Sequence, residues 1–154
     1  MRIKFVILLL AFVACIGLPT SLKAQRNVTP AIDRDPLMEA DAKHNLDVAR
    51  QAFTPHKQAY KQVIFRFEET YAAYPEFSGI DEFLYLAGMS SYYLSENKGK
   101  QKVNLKSEKE KVKFAPAKLK EEAIAYLGTL VEKHPESKFK EDAEKALTEL
   151  KATH

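Results

Sequence analysis

The sequence predicts an all-α protein: an α-solenoid of antiparallel helical hairpins, with about five helices after a signal peptide. Three observations support this fold class. Apolar residues recur at steps of three and four in several segments, which is the period of an amphipathic helix. Two pairs of these segments are joined by short turns, and helices connected in this way pack antiparallel. The second pair repeats the pattern of the first, which is typical of repeat proteins.

Residues 1–24 are predicted to be a signal peptide. Arg2 and Lys4 make its start basic, and the apolar run from Phe5 to Ala14 is too short to span a membrane comfortably. Pro19 and a polar stretch follow, as in signal peptides before their cleavage site. We therefore expect the protein to be exported to the periplasm.

Two interpretations of the processing site stay open. Cleavage after Ala24 would leave a soluble chain that begins at Gln25 and contains no cysteine. In the other interpretation residues 12–15 are a lipobox, Cys15 carries a lipid, and the protein is anchored to the outer membrane. Lipoboxes usually have leucine where Phe12 stands. Mass spectrometry of the exported N-terminus distinguishes the two interpretations.

Residues 36–151 are predicted to be one helical domain, preceded by a flexible polar lead at 25–35. Asp35-Pro36 is typical of a helix N-terminus, with an acidic N-cap and proline at the first helical position. Thr54-Pro55 ends that helix. Residues 36–53 are therefore interpreted as a helix that caps one end of the array. Its apolar stripe consists of Ala42, Leu46, Ala49 and Phe53.

Residues 56–95 form the first predicted hairpin. Its first helix ends at Tyr74-Pro75, because the residue before a proline avoids the α conformation. Ser78 is predicted to be the N-cap of the second helix. The first helix has an apolar stripe of Tyr60, Val63, Ile64, Phe67, Tyr71 and Tyr74, and the second has one of Ile80, Phe83, Leu84, Ala87, Ser91 and Leu94.

Residues 96–115 interrupt the helical pattern with a lysine-rich insert. Between Lys98 and Lys113 there are seven lysines and two glutamates, and the apolar residues are sparse and without period. Such an insert is either solvated and flexible, or a basic arm for an acidic protein surface or for anionic lipid headgroups. The predicted partner contacts here are Tyr92, Tyr93, Lys98, Lys100, Lys102 and Lys106. Core packing is the competing interpretation for both tyrosines.

Residues 116–151 repeat the plan of the first hairpin. His134-Pro135 stands where the first copy has Tyr74-Pro75, and Ser137 stands where it has Ser78; these six residues define the repeat. Two copies are few, so chance similarity between two amphipathic hairpins is the competing explanation. The apolar positions of this copy are Ala123, Leu127, Leu130, Val131 and His134, then Phe139, Ala143, Ala146, Leu147 and Leu150.

The charge balance argues against a nucleic-acid partner. The chain has 24 basic and 21 acidic residues, a net charge of +3. The predicted signal peptide contains Arg2, Lys4 and Lys23 and no acid, so the remaining chain has as many acids as bases. Domains that bind nucleic acids usually have a strong basic excess. We therefore expect no nucleic-acid partner.

The sequence contains no motif typical of catalysis. The four histidines lie at no metal-ligand spacing, and the glycines form no phosphate loop. The acid pairs Glu68-Glu69 and Glu121-Glu122 are adjacent in sequence, so they do not face each other on a helix and are expected on a solvated face. Ser90 and Ser91 lack the GxSxG context. We expect no enzyme activity, no cofactor and no bound metal.

About residues 36–151 resemble tetratricopeptide repeats (TPR), and most closely those of BamD-like lipoproteins, which belong to the machine that assembles outer-membrane β-barrels. The matching features are an aromatic residue or histidine before proline, then serine, then an acid-rich helix with a small residue. They are Tyr74-Pro75, Ser78, Asp81-Glu82 and Ala87-Gly88 in the first copy, and His134-Pro135, Ser137, Glu141-Asp142 and Ala143 in the second.

The resemblance implies a non-catalytic adaptor of the cell envelope that docks a protein or peptide partner in outer-membrane protein assembly. The first alternative is a periplasmic peptide-binding or chaperone-like repeat protein with no role in barrel assembly. The second is an envelope enzyme or its activating subunit, which a pocket with converging polar groups would favour.

Overall fold

The computed structural model describes residues 34–152, and this part of the chain is helical without any strand. It belongs to a compact unit, Asp33–His154. The predicted all-α, TPR-like fold class is confirmed. Cys15, Ala24 and Gln25, with the predicted signal peptide, lie outside the described residues. The helices are α1 Pro36–Phe53, α2 Tyr60–Ala73, α3 Ile80–Ser95, α4 Glu108–Lys113, α5 Pro116–Lys133 and α6 Lys140–Ala152.

Helix α1 has the two terminal signals that the sequence contains. The Asp35 carboxylate accepts hydrogen bonds from the backbone N–H groups of Leu37 (2.8 Å) and Met38 (3.3 Å), and Pro36 occupies the first turn. The helix ends at Thr54, whose ψ of 151° is extended, as expected before a proline. Its buried face consists of Ala42, Leu46, Ala49 and Ala52.

The prediction that Ser78 caps helix α3 is wrong, because the N-cap residue is Gly79. The turn after Tyr74 is closed by backbone hydrogen bonds, including one from Ile80 N–H to the Phe77 carbonyl (3.1 Å), and it carries the chain one residue further before the helix begins. Ser78 instead donates its backbone N–H to the Glu39 carboxylate of α1 (3.2 Å).

Ser137, at the matching position of the second copy, lies three residues before α6. Its hydroxyl accepts a hydrogen bond from the Phe139 N–H (3.2 Å) and donates one to the Asp81 carboxylate (2.7 Å) in the first turn of α3. The two serines of the repeat therefore tie their turns to different neighbouring helices.

Helix α3 is the centre of the fold. It packs against α1, α2, α5 and α6, and its interface with α5 is the most extensive one among the described helices. At Gly88 the two helices approach so closely that a Cβ would lie 2.7 Å from Leu127 Cγ. Both hairpins and α1 share one hydrophobic core, whose large, fully buried members include Phe67, Phe83, Leu84, Leu127, Leu130 and Leu150.

Some residues of the predicted stripes lie at the edge of this core. Tyr71 is 38% exposed, and its ring stacks on that of Phe67 at a centroid distance of 5.2 Å. It therefore covers the core from outside. Val131, His134, Phe139 and Leu147 of the second copy are half-buried. Within residues 34–152, no helix has the length and apolar character needed to cross a membrane.

Candidate partner-binding surface

The lysine-rich insert is held against helix α2 by charged and polar contacts. Lys61 of α2 donates to the carboxylate of Glu110 (2.9 Å) and to the backbone carbonyl of Lys102 (3.0 Å). Lys113 pairs with the carboxylate of Glu68, also on α2, at 2.6 and 2.7 Å. These pairs are partly buried, so solvent screens them less than exposed ion pairs.

Apolar and backbone contacts hold the insert as well. Phe114 is 2% exposed and meets the Phe65 ring edge-on at 5.6 Å. Gly99, with a φ of +97°, lies against Tyr60, and a Cβ there would be 2.6 Å from the ring. The expectation of a freely solvated loop therefore does not describe this insert, which is docked on the helices beside it.

Helix α4 inside the insert was not predicted, although the sequence contains an N-cap residue and a charge distribution typical of a helix. The Ser107 hydroxyl accepts a hydrogen bond from the Glu110 N–H (3.4 Å), in the spacing of a capping box. Acids occupy its first turn and lysines its last, which suits the helix dipole. The high lysine content and the absence of an apolar stripe concealed these signals.

Three of the four lysines predicted as partner contacts have partners within the chain. Lys98 forms an ion pair with Glu96 (2.6 Å), and this bond raises the pKa of the Lys98 ammonium above its usual value. Lys100 donates to the His56 carbonyl, and Lys102 donates to the Asn97 carbonyl (2.7 Å). Lys106 is exposed.

The two predicted tyrosines are half-buried and point to different neighbours. Tyr93 contacts the rings of Tyr60 (5.3 Å) and Phe53 (6.2 Å), while Tyr92 donates its hydroxyl to Glu149 of α6 (3.5 Å). Lys98 lies over both tyrosine rings. Each of the two tyrosines thus packs against neighbouring helices on one side and is exposed to solvent on the other.

Tyr93 and Lys98 line an open pocket of about 510 Å³ at the ends of α1 and α3. Burial raises the pKa of the Tyr60 hydroxyl, and the neighbouring Tyr93 acts in the same direction, so Tyr60 stays neutral at physiological pH. Aromatic faces beside an ammonium group suit an apolar side chain near a negative charge. The pocket is lined by Phe53, Pro55, Gln58, Tyr60, Tyr93, Lys98 and Gly99.

The adjacent acid pairs do not all lie on a solvated face as predicted. Glu68 is paired with Lys113, and Glu122 of α5 is half-buried, whereas Glu121 is exposed. Burial is the main cause that raises the pKa of Glu122, and Lys118 opposes it. The sequence does not reveal this arrangement, because it depends on the tertiary structure: one acid of each pair, Glu68 and Glu122, faces a neighbouring element.

Tyr126 of α5 lies beside this acid and lysine group. Its ring meets Phe67 edge-on at 4.7 Å, and burial raises the pKa of its hydroxyl to about 12. The phenol of Tyr126 is therefore neutral at physiological pH. Among the described residues, no group of three or more His, Cys, Asp or Glu side chains could hold a metal ion.

The repeat-defining residues end the first helix of each hairpin and form the turn that follows it. Tyr74 and His134 are the C-cap residues of α2 and α5, and each donates its backbone N–H to the carbonyl four residues earlier. Pro75 and Pro135 follow them and prevent the helices from continuing. The role of these residues is therefore structural, and they are not part of the candidate partner-binding surface.

The chain matches the sequence model of a known protein family. The sequence model of the YfiO family, described as outer membrane lipoprotein, matches residues 20–153. This range includes all the residues that the structure describes. No curated protein and no solved structure matches the chain.

Proposed function

Because this chain belongs to the YfiO family of outer membrane lipoproteins, which are BamD-like TPR proteins, we propose that it is a non-catalytic envelope adaptor that docks protein partners during outer-membrane protein assembly. The match over residues 20–153 is the observation that carries this proposal. The family is one of scaffolds without catalytic activity. The partner is expected to be a protein or a peptide in the cell envelope.

The geometry of the described residues is compatible with docking. The pocket that Tyr93 and Lys98 line is built from rings in mutual contact, so its walls are formed before a partner arrives. Such preorganisation reduces the entropy cost of binding. We propose Tyr93 and Lys98 as the primary partner contacts, with Tyr92, which contacts both of them, beside the pocket. Lys100 and Lys102, which bind backbone carbonyls, are assigned to shaping the insert.

We also propose how the protein is held at the membrane. The family description favours a lipid on Cys15 over cleavage between Ala24 and Gln25. Mass spectrometry of the exported chain tests this directly. An acylated N-terminal Cys15 supports the proposal, and a chain that begins at Gln25 contradicts it.

Site-specific photo-crosslinking in whole envelopes tests the adaptor function. A photoreactive residue at Lys57, an exposed position next to the pocket residue Gln58, should capture subunits of the β-barrel assembly machinery. The matched control carries the same residue at exposed Thr148 on α6 and should capture them less. Capture of soluble clients alone at Lys57 would instead favour the periplasmic peptide-binding or chaperone-like alternative.

A further inference from the structure

The docked insert combines positive charge with exposed apolar side chains. Residues 98–113 contain seven lysines and two glutamates, and both glutamates are engaged by lysines, Glu110 by Lys61 and Glu108 by Lys111. Leu105 is 73% exposed and Val112 is 67% exposed. They are two of the five exposed large apolar residues in the described part of the chain.

A third exposed apolar residue lies next to the insert. Phe65 of α2 is 48% exposed, and its ring contacts Phe114. Lys113 lies over the same Phe65 ring, with Nζ 5.1 Å from the centroid. In the sequence Lys106 follows Leu105, and Lys109 stands three residues before Val112 on α4, the spacing that places two helical side chains on one face. The ion pair between Lys113 and Glu68 holds this arrangement on the helical body.

We propose that residues 97–113 are a membrane-contact face: the exposed Lys106, Lys109 and Lys111 bind anionic lipid headgroups, and Leu105 and Val112 enter the interfacial layer of the bilayer. The proposal rests on the envelope location in the proposed function. A basic segment with exposed apolar residues has the composition of an interfacial lipid-binding element. Lysine stems can bury their methylene groups while the ammonium groups stay at the headgroups.

A lipid surface fits this face better than an acidic protein does. The centres of protein–protein interfaces are depleted in lysine and enriched in tyrosine, tryptophan and arginine. Residues 97–113 contain no arginine and no aromatic residue. Outside the predicted signal peptide, acids and bases balance, so attraction to an anionic surface must come from a local cluster.

Vesicle binding tests the proposal without any lipid anchor on the protein. The chain from Gln25 to His154 contains all of the helical domain as the structure describes it. We expect it to sediment with vesicles of phosphatidylcholine and phosphatidylglycerol, but not with phosphatidylcholine alone, and added salt should release it. One lysine close to an anionic surface changes partitioning about fivefold.

Matched charge variants locate the binding face. Replacing Lys106, Lys109 and Lys111 by glutamine should weaken binding to anionic vesicles by about 100-fold. The control replaces three exposed lysines outside the insert, Lys43, Lys133 and Lys151, and should change binding less than about threefold. Leu105→Ser should weaken binding by several-fold while leaving the charge unchanged. Circular dichroism melts must show the same fold for all variants.

Three results would overturn the proposal. Two of them are absence of binding to anionic vesicles and equal weakening by the insert variant and its control. If the insert variant instead loses only a crosslink to an acidic envelope protein, the face binds protein and the lipid assignment is wrong. None of these results bears on crosslinking at Lys57, so failure here is distinct from failure of the adaptor function.

Discussion

Replacement of Gly88 by alanine tests how the two hairpins pack. Gly88 lies where α3 and α5 are closest, and an added Cβ would be 2.7 Å from Leu127 Cγ and 2.8 Å from Leu127 Cδ2. Carbon atoms in contact are normally about 3.5–4.0 Å apart. Leu127 is fully buried, so its side chain cannot relieve the contact by turning toward solvent.

The expected magnitude is the difference between two effects. Overpacking a buried interface costs about 1–3 kcal/mol. Alanine in a helix interior is favoured over glycine by about 1 kcal/mol. Gly88→Ala should therefore lower the free energy of unfolding by up to about 2 kcal/mol.

Gly128→Ala in α5 is the matched control. No side-chain or distant backbone atom lies within 4 Å of the position of its Cβ. The control should therefore gain about 1 kcal/mol of stability from helix propensity alone. The propensity terms cancel when the two variants are compared, so their difference measures the packing cost, about 1–3 kcal/mol.

Urea denaturation followed by circular dichroism measures both variants on the chain from Gln25 to His154. Its midpoints give the comparison directly when the slopes are equal. If Gly88→Ala is as stable as Gly128→Ala, then α3 and α5 do not approach closely at Gly88. The conclusion that the two hairpins share one hydrophobic core would then also be wrong.

Three further predictions concern buried groups. Ser90→Ala should leave the free energy of unfolding unchanged or raise it by about 1 kcal/mol, because the buried hydroxyl has no partner among the described residues. Phe114→Ala should lower it by about 3 kcal/mol and speed proteolysis within residues 97–113, because it removes the apolar anchor of the insert. Glu122→Gln should stabilise the protein at pH 7 and lose this advantage toward pH 4. The folded-state pKa of Glu122 is raised above 4.5, so ionisation as the pH rises favours the unfolded chain.

Each of these predictions has a contrary result. A clear loss of stability in Ser90→Ala would mean that the hydroxyl makes a hydrogen bond. Equal proteolysis of the insert in Phe114→Ala and the unaltered chain would mean that the insert is not anchored by that ring. A stability difference for Glu122→Gln that grows toward acidic pH would have the wrong sign for a carboxyl group whose pKa burial raises.

Features that depend on residues close together in the sequence could be predicted from the sequence. Asp35-Pro36 and Thr54-Pro55 are local signals for helix ends, and α1 extends between them. Periodicity identified Val63, Phe67, Leu84 and Leu127 as core residues, and all four are buried. Capping was less reliable: the choice between Ser78 and Gly79 depends on the path of the turn and not on residue preference alone.

Docking of the insert could not be read in this way. The ion pair between Lys113 and Glu68 joins residues 45 positions apart, and nothing in the local composition of the lysine-rich segment indicates it. The same holds for Phe114, a single apolar residue without periodic neighbours, which became a buried anchor. The exposed pocket around Tyr93 likewise depends on Phe53 and Tyr60 from separate helices.

By itself, therefore, the sequence determined the helical class, the repeat of the hairpin plan and the buried stripes, because amphipathic period and proline stops act within a few residues. The tertiary structure alone decided that α3 is central, that Gly88 is the point of closest approach to α5, and that the lysine-rich insert is a fixed face. These features depend on contacts between side chains that are far apart in the sequence. The period of the apolar residues shows which face of a helix is buried but not which helix it packs against.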